Sequence, residues 1–252
     1  MANTGPLTRR DLLRLSATGA VAAAVGLNWG EGGPRAAAAL QIRPSTPDEA
    51  LLELQAGNIR YYTSVGGANH MISFTEDVEE IRTRTQESQQ PFAAILSCAD
   101  GRVAPEIIFD QSINRLFICR VAGNITTPEI IASLEYSVGG LSAPSLPVNV
   151  IMVLGHGACG AVSAAGGLTP VANSQISALY APLRPAVILA NCQPSTPPAT
   201  CLDERIKLNA RIQAITLRDS SRLISLAIQA SRLKVVAAYY DIASGVVNLL
   251  PI

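Results

Sequence analysis

Two short clusters of metal-binding residue types are the most informative feature of this sequence. Cys98 and Asp100 lie together in the first cluster, and His156 and Cys159 form the second, much later in the chain. Two thiolates, one imidazole and a carboxylate that can give way to water are typical ligands of a tetrahedral catalytic zinc site. Zinc lowers the pKa of bound water to about 7 and so supplies a nucleophile at neutral pH.

Each cluster taken alone has an ordinary structural explanation. Free cysteines are often small buried hydrophobic residues, and an isolated histidine in an apolar stretch is usually a core residue. His156, however, is one of only two histidines, lies three residues before Cys159, and follows a strand-like run. The two clusters together therefore predict one zinc ion per chain, with four ligands: Cys98, Asp100, His156 and Cys159.

The elements that must position these residues follow from the hydrophobic pattern. Apolar runs typical of strands cover 92–97, 116–121, 148–154, 235–240 and 246–250. Helical patterns lie between them, among them 128–138 and 203–217. This alternation predicts an α/β fold with a mainly parallel central sheet flanked by helices. Ligands bind beyond the carboxyl ends of such strands, where both clusters lie, although the sequence leaves open whether the two strands are neighbours.

Further segments extend the pattern through most of the chain after the amino-terminal region. In chain order they are 54–61, 89–91, 98–110, 120–124, 134–136, 154–160 and 235–241. Together they resemble the β-class carbonic anhydrases. Gly101 and Gly157 depart from the family pattern, because serine is common at both positions in the family. Neither departure removes a ligand, so they affect only the hydrogen bonds around the ligands.

The resemblance implies reversible hydration of carbon dioxide to bicarbonate and a proton. It also implies that Asp100 and Arg102 form the family's ion pair, in which the arginine pulls the carboxylate off the metal. An isolated pair of this kind would be only a weak surface ion pair. The remaining implied residues contact substrate: Gln89 as an orienting amide, and Phe117, Ala122 and Tyr136 as pocket wall. Without the resemblance, Gln89 would be an exposed glutamine and the two aromatic residues would be core.

Two other functions stay open. One is hydrolysis of a carbon dioxide analogue, carbonyl sulfide or carbon disulfide, on the same fold. The other is a weakly active zinc-binding protein that serves as a structural partner. Asp100 and Arg102 argue against the second, because a structural zinc site needs neither a displaceable ligand nor the arginine that displaces it.

The resemblance also implies assembly. Members of the family are built on homodimers, from which higher homo-oligomers can form, and their amino-terminal helices embrace the partner subunit. The segment 46–62 has the apolar pattern of such a helical arm. The alternative is a helix that packs on its own domain.

The amino-terminal residues predict export. A basic region with Arg9 and Arg10 precedes an apolar run over 15–27, and small residues suited to cleavage follow over 34–39. The run is too short to span a bilayer comfortably, so the pattern is typical of a twin-arginine signal peptide. We expect a signal peptide over 1–39 and a catalytic domain over 40–252, with the mature protein in the periplasm or another extracytoplasmic space and no stable membrane span after cleavage. An uncleaved anchor is the alternative.

Composition and the remaining cysteines agree with one domain that acts on a small molecule. The chain has 19 basic and 19 acidic residues and no long basic stripe, which argues against a nucleic-acid partner. Cys192 and Cys201 bracket a proline-rich segment and form either a disulfide, as an oxidising compartment allows, or two free thiols. Cys119 lies in a strand-like run and is expected in the core.

The export prediction can be tested by changing the paired arginines. The double variant Arg9→Lys/Arg10→Lys should stay in the cytoplasm with its signal peptide attached, because the arginine pair is read by a receptor and not as simple positive charge. The single variant Arg14→Lys, outside the pair, should be exported normally. Cell fractionation and mass measurement give both results, and normal export of the double variant would contradict the prediction.

Overall fold

A five-stranded sheet forms the centre of the part of the chain that the computed structural model describes, residues 43–64, 77–139, 147–167, 173–190 and 192–252. The predicted signal peptide, with Arg9 and Arg10, lies outside these residues. The helices are α1 Pro47–Thr63, α2 Val78–Thr85, α3 Pro105–Ile108, α4 Pro128–Gly139, α5 Gly160–Gly167, α6 Tyr180–Leu189, α7 Pro198–Ser220 and α8 Arg222–Gln229, with a 3-10 helix at Ile176–Leu179. The strands are β1 Ala93–Ser97, β2 Leu116–Arg120, β3 Val150–His156, β4 Lys234–Tyr240 and β5 Val247–Leu250.

The order of the strands explains why the two clusters meet. The sheet order is β2-β1-β3-β4-β5, with the first four strands parallel and β5 antiparallel to β4. The chain winds from β1 outward to β2 and then returns to place β3 on the other side of β1. The boundary between β1 and β3 is therefore the switch point at which ligands of parallel sheets bind. The predicted α/β fold is confirmed, and the adjacency that the sequence left open is now established.

Both faces of the sheet are covered. Alternate residues of β1 point to opposite faces: Ala94 and Leu96 pack with α4, α7 and α8, whereas Ala93 and Ile95 pack with α1 and α3. All residues of β1 and β3 are buried, as expected for strands of a parallel sheet between two helical layers. Within the described residues, no helix combines the length and apolarity needed to cross a membrane.

Helix α1 packs on its own domain. It begins with a capping box between Thr46 and Glu49 and buries Ala50 and Leu54 against the sheet. The buried Asn58 donates to the carbonyl oxygens of Ile108 and Gly245, at 3.1 and 2.9 Å. These hydrogen bonds anchor α1 to the end of α3 and to the loop between β4 and β5, and the dimer arm stays a prediction.

Before the segment that Cys192 and Cys201 bracket lies α6, a ten-residue helix with Pro185 inside it. Helix α7 follows and extends beyond the predicted 203–217 at both ends. It can begin at Pro198 because proline is acceptable in a first helical turn. A disulfide joins Cys192 to Cys201 across 5.6 Å between Cα atoms, so the disulfide alternative is the one observed. Cys119 is buried, as expected.

Removing this disulfide should lower stability without affecting the metal clusters. The variant Cys192→Ala/Cys201→Ala should lose about 2–3 kcal/mol of the free energy of unfolding, because the unfolded chain regains the entropy of a short open loop. Denaturant titration measures the loss, and zinc content should stay at the wild-type value. Two alkylated, unlinked cysteines in the non-reduced exported protein would contradict the bond.

Candidate metal centre

Three buried side chains converge at the carboxyl edge of the sheet. Cys98 directly follows β1, His156 ends β3, and Cys159 directly precedes α5. Because β1 and β3 are parallel neighbours, with Ser97 opposite Leu154, the residues that follow them lie at the same edge. The ligand atoms of the three residues all lie within 4.8 Å of one another.

The histidine has the geometry of a metal ligand. Its Nδ1 lies 3.0 Å from the carbonyl oxygen of Gly157, which accepts a hydrogen bond from Nδ1–H and leaves Nε2 with its lone pair free. Nε2 is fully buried and has no hydrogen-bond partner. An unpaired buried nitrogen costs free energy, and a metal ion bound at Nε2 removes this cost.

The two cysteines complete a donor set that fits zinc. The hydrogen bond between the two thiols lowers the pKa of Cys98 and raises that of Cys159, so Cys98 is the one of the two that ionises more readily. The backbone N–H of Gly123 donates a further hydrogen bond to Cys98 Sγ at 3.3 Å. Two sulfur ligands and one imidazole nitrogen are a known zinc donor set that leaves a fourth position open. The predicted zinc cofactor is confirmed, with Cys98, His156 and Cys159 as the residues that converge, whereas binding of Asp100 to the metal stays a prediction.

Asp100 lies beside this cluster and is held by Arg102. The guanidinium donates from Nε to Oδ1 at 2.9 Å and from Nη2 to Oδ2 at 2.7 Å. These hydrogen bonds hold the pKa of the Asp100 carboxyl well below its usual range. Oδ2 is 3.9 Å from His156 Nε2. The structure therefore shows the Asp100 carboxylate bound by two guanidinium nitrogens of Arg102, beside the residues that would bind the metal.

The predicted substrate residues are found in two places. Ala122 adjoins Gly123, whose N–H contacts Cys98, and so it lies at the same edge of the sheet as the metal-binding cluster. Phe117 is paired with Ala94 of β1. Ala94 lies four residues before Cys98, which corresponds to about 13 Å of extended strand. Its ring centroid is 6.2 Å from that of Tyr136. Gln89 precedes β1 and so lies beyond the strand's other end. Within one chain, only Ala122 is brought to the cluster.

Sequence reasoning missed two residues that hold the ligand loops. Arg120 donates from Nε to the carbonyl oxygen of Cys98 at 3.1 Å and from Nη2 to that of Asp100 at 2.7 Å. Asn209, buried in α7, donates to the carbonyl oxygen of Gly123 at 2.9 Å. Arg120 starts one of the resembling segments and could have been found there. Asn209 lies in a regular helix, where nothing in the sequence pattern indicates its contact.

The loops carry left-handed backbone conformations. Gly123 has a φ of 77°, which glycine adopts without cost, and it thereby turns its N–H toward Cys98 Sγ. Ala158, between His156 and Cys159, has a φ of 54°, which is costly for a residue with a side chain. Its carbonyl oxygen lies 3.4 Å from Arg102 Nη2. The turn that joins two metal ligands is therefore strained and tied to the Asp100–Arg102 pair.

Comparison with known proteins agrees with this geometry. The model of the carbonic anhydrase family matches residues 93–247, more than half of the chain and the stretch that carries all three ligands. The chain belongs to the carbonic anhydrase family. Carbonic anhydrase 2 of Mycobacterium tuberculosis is 40% identical over 123 residues, which cover 48% of this chain and 54% of that protein. The chain thus spans about half the length of this curated relative.

Other carbonic anhydrases align over more of their length. The carbonic anhydrase of Pseudomonas aeruginosa is 29% identical over 192 residues, covering 71% of this chain and 84% of that protein. The β-carbonic anhydrase of Coccomyxa, solved with acetazolamide, superposes with a TM-score of 0.60 at 23% identity, covering 69% of this chain and 78% of that one. A tetrameric β-carbonic anhydrase of Sordaria macrospora gives 0.60 at 21% identity, covering 69% and 88%. The fold is therefore that of the β-carbonic anhydrases.

The ligand assignment predicts which cysteines matter for zinc. Each of the variants Cys98→Ala, His156→Ala and Cys159→Ala should be purified with far less than one zinc per chain, because three protein ligands are the minimum for a tight catalytic site. Cys119→Ala, which alters another buried cysteine, should keep its zinc. Elemental analysis measures the content, and full occupancy in His156→Ala would remove the assignment.

Proposed function

We propose that this protein is a zinc-dependent carbonic anhydrase that converts carbon dioxide and water to bicarbonate and a proton, reversibly. The observation that carries the proposal is the buried Cys98–His156–Cys159 cluster with the Asp100–Arg102 pair beside it. A structural zinc site would need four protein ligands and no such pair. Membership of the carbonic anhydrase family supports the same reaction.

The chain's own residues have distinct parts in this reaction. When bound, zinc supplies an activated water at neutral pH and a positive charge for the developing bicarbonate. Arg102 keeps Asp100 ionised and in place. Asp100 Oδ2 therefore accepts a hydrogen bond from the reacting hydroxyl group and fixes its orientation. Arg120 holds the backbone of both Cys98 and Asp100, which keeps the carboxylate beside the residues that would bind the metal.

The surroundings of the cluster suit a small uncharged substrate. Ile125, Val162 and Leu183 are buried in the same apolar cluster as Cys98 and Cys159. Such side chains exclude bulk water and offer no hydrogen bonds, which favours carbon dioxide over charged competitors. Asp100 and the half-exposed Arg102 lie beside this apolar cluster.

We propose that the active form is a homodimer. In one chain, Gln89, Phe117 and Tyr136 lie away from the metal cluster. Their implied contact with substrate is therefore made, in this proposal, at the site of the partner subunit. The Sordaria macrospora relatives of the same fold are described as tetrameric, which supports assembly from identical subunits.

We also propose export by the twin-arginine route to the periplasm or another extracytoplasmic space. The basis is the paired Arg9 and Arg10 followed by an apolar run. The Cys192–Cys201 disulfide supports it independently, because such bonds persist in oxidising compartments. Export in the folded state suits a protein that binds its metal while folding.

The deciding experiment is carbon dioxide hydration by stopped flow with the zinc-loaded protein. Asp100→Asn should keep its zinc but lose activity by roughly a hundredfold. The amide weakens the hydrogen bonds with Arg102 and replaces the acceptor oxygen Oδ2. Asp48→Asn is the matched control, since Asp48 pairs with Lys234 at the amino-terminal edge of the sheet. It should hydrate carbon dioxide at the wild-type rate.

The same assay separates the alternatives. A wild-type protein that hydrolyses carbonyl sulfide or carbon disulfide but does not hydrate carbon dioxide would replace the proposed reaction. A protein that holds one zinc per chain and is inactive on all three substrates would indicate a structural role. Equal activity of Asp100→Asn and wild type would show that the ion pair is incidental.

A further inference from the structure

The residues on both sides of the metal ligand His156 are glycines, and a side chain at either position would be crowded by a neighbouring residue. A Cβ atom at Gly155 would lie 3.1 Å from Ile206 Cγ2 and 3.3 Å from the Ile206 carbonyl oxygen. Neither Gly155 nor Gly157 has a positive φ angle. The close packing of their neighbours, and not the backbone conformation, therefore favours glycine at both positions.

At Gly157 a single atom fills the space. A Cβ there would lie 3.0 Å from the hydroxyl oxygen of Tyr239, and its next neighbours, Tyr239 Cζ and the backbone nitrogen of Ile242, are both at 3.9 Å. A distance of 3.9 Å is an ordinary van der Waals contact. Without the Tyr239 hydroxyl, a methyl group at residue 157 would fit.

The Tyr239 hydroxyl is held in this position. It donates to Asp203 Oδ1 at 2.9 Å, and Lys207 Nζ lies 5.3 Å from the centre of the ring. Asp203 and Lys207 lie four residues apart on α7 and so face the ring together. The Tyr239 ring is buried in the apolar cluster that contains Cys98 and Cys159. The hydroxyl cannot move aside without losing its acceptor.

Gly157 in turn fixes the metal ligand. Its N–H donates to the carbonyl oxygen of Tyr240 at 2.9 Å, and its own carbonyl oxygen accepts from His156 Nδ1 at 3.0 Å. That second hydrogen bond decides which ring nitrogen is free to bind metal. A shift of the 157 peptide would therefore turn the imidazole relative to Cys98 and Cys159.

We propose that Tyr239, fixed by Asp203, is a positioning residue for His156: its hydroxyl packs against Gly157 and holds the peptide that orients the imidazole toward zinc. This inference rests on the zinc site of the proposed function. Hydrogen-bonded groups behind a metal ligand fix its orientation, and their removal typically weakens metal binding 10–100-fold.

Zinc affinity, measured by competition with a chelator, tests this directly. Tyr239→Phe should bind zinc about tenfold more weakly, whereas Tyr62→Phe, which removes a hydroxyl from α1, should bind as wild type does. Gly157→Ala should also bind about tenfold more weakly, because its Cβ meets the hydroxyl. Gly101→Ala is its control, since no atom lies within 4 Å of a Cβ at that position.

The double variant distinguishes positioning from general destabilisation. In Gly157→Ala/Tyr239→Phe the new methyl group occupies the space of the missing hydroxyl, so zinc affinity should exceed that of either single variant. The visible spectrum of the cobalt-loaded protein reports ligand geometry and should change in Tyr239→Phe while the fold, followed by circular dichroism, does not.

Wild-type zinc affinity and an unchanged cobalt spectrum in Tyr239→Phe would overturn the inference. Zinc binding roughly hundredfold weaker than wild type in the double variant, the sum of the two single effects, would overturn it as well. If Gly157→Ala fails to fold, Tyr239→Phe alone still decides. A wild-type protein that binds no zinc would refute the proposed function as well. A wild type that binds zinc and hydrates carbon dioxide, with Tyr239→Phe indistinguishable from it, refutes the positioning role alone.

Discussion

The parallel pairing of β1 with β3 is the interaction on which the metal centre depends. It places side by side the carboxyl ends of two strands that are far apart in sequence. Cys98 and His156, at these ends, are brought together by that pairing. Because the winding direction reverses between these strands, their carboxyl ends form the crevice at which parallel sheets bind ligands. Cys98, His156 and Cys159 are buried at this edge.

Hydrogen bonds to backbone atoms keep the ligands in place. Arg120 ties the loop after β1, Asn209 ties the loop after β2, and Arg102 reaches the turn after β3. Each of these loops carries or contacts a metal ligand, and two of them contain left-handed residues. Strain of this kind persists only where surrounding contacts hold it. The ligand geometry is thus set by many contacts around three short loops.

Helix α7 connects this support to the rest of the fold. It packs on β3 and β4, and its buried face contributes Ile206 against Gly155 and Asn209 against the Gly123 loop. One turn earlier, Asp203 holds the Tyr239 hydroxyl beside Gly157. A single helix therefore contacts β3, β4 and the loop after β2, so its position relative to the sheet affects both sulfur and nitrogen ligands.

The sequence by itself determined the ligand types, the strands that precede them and the α/β class, because donor chemistry and apolar periodicity are local properties. It also marked Asp100 and Arg102, which are two residues apart. Only the tertiary structure decided the order of the strands, the contacts of Asn209 and Tyr239, and the separation of Gln89 and Phe117 from the metal within one chain. These depend on which strands pair and on where a helix lies on them, and such long-range packing leaves no periodic pattern in the sequence.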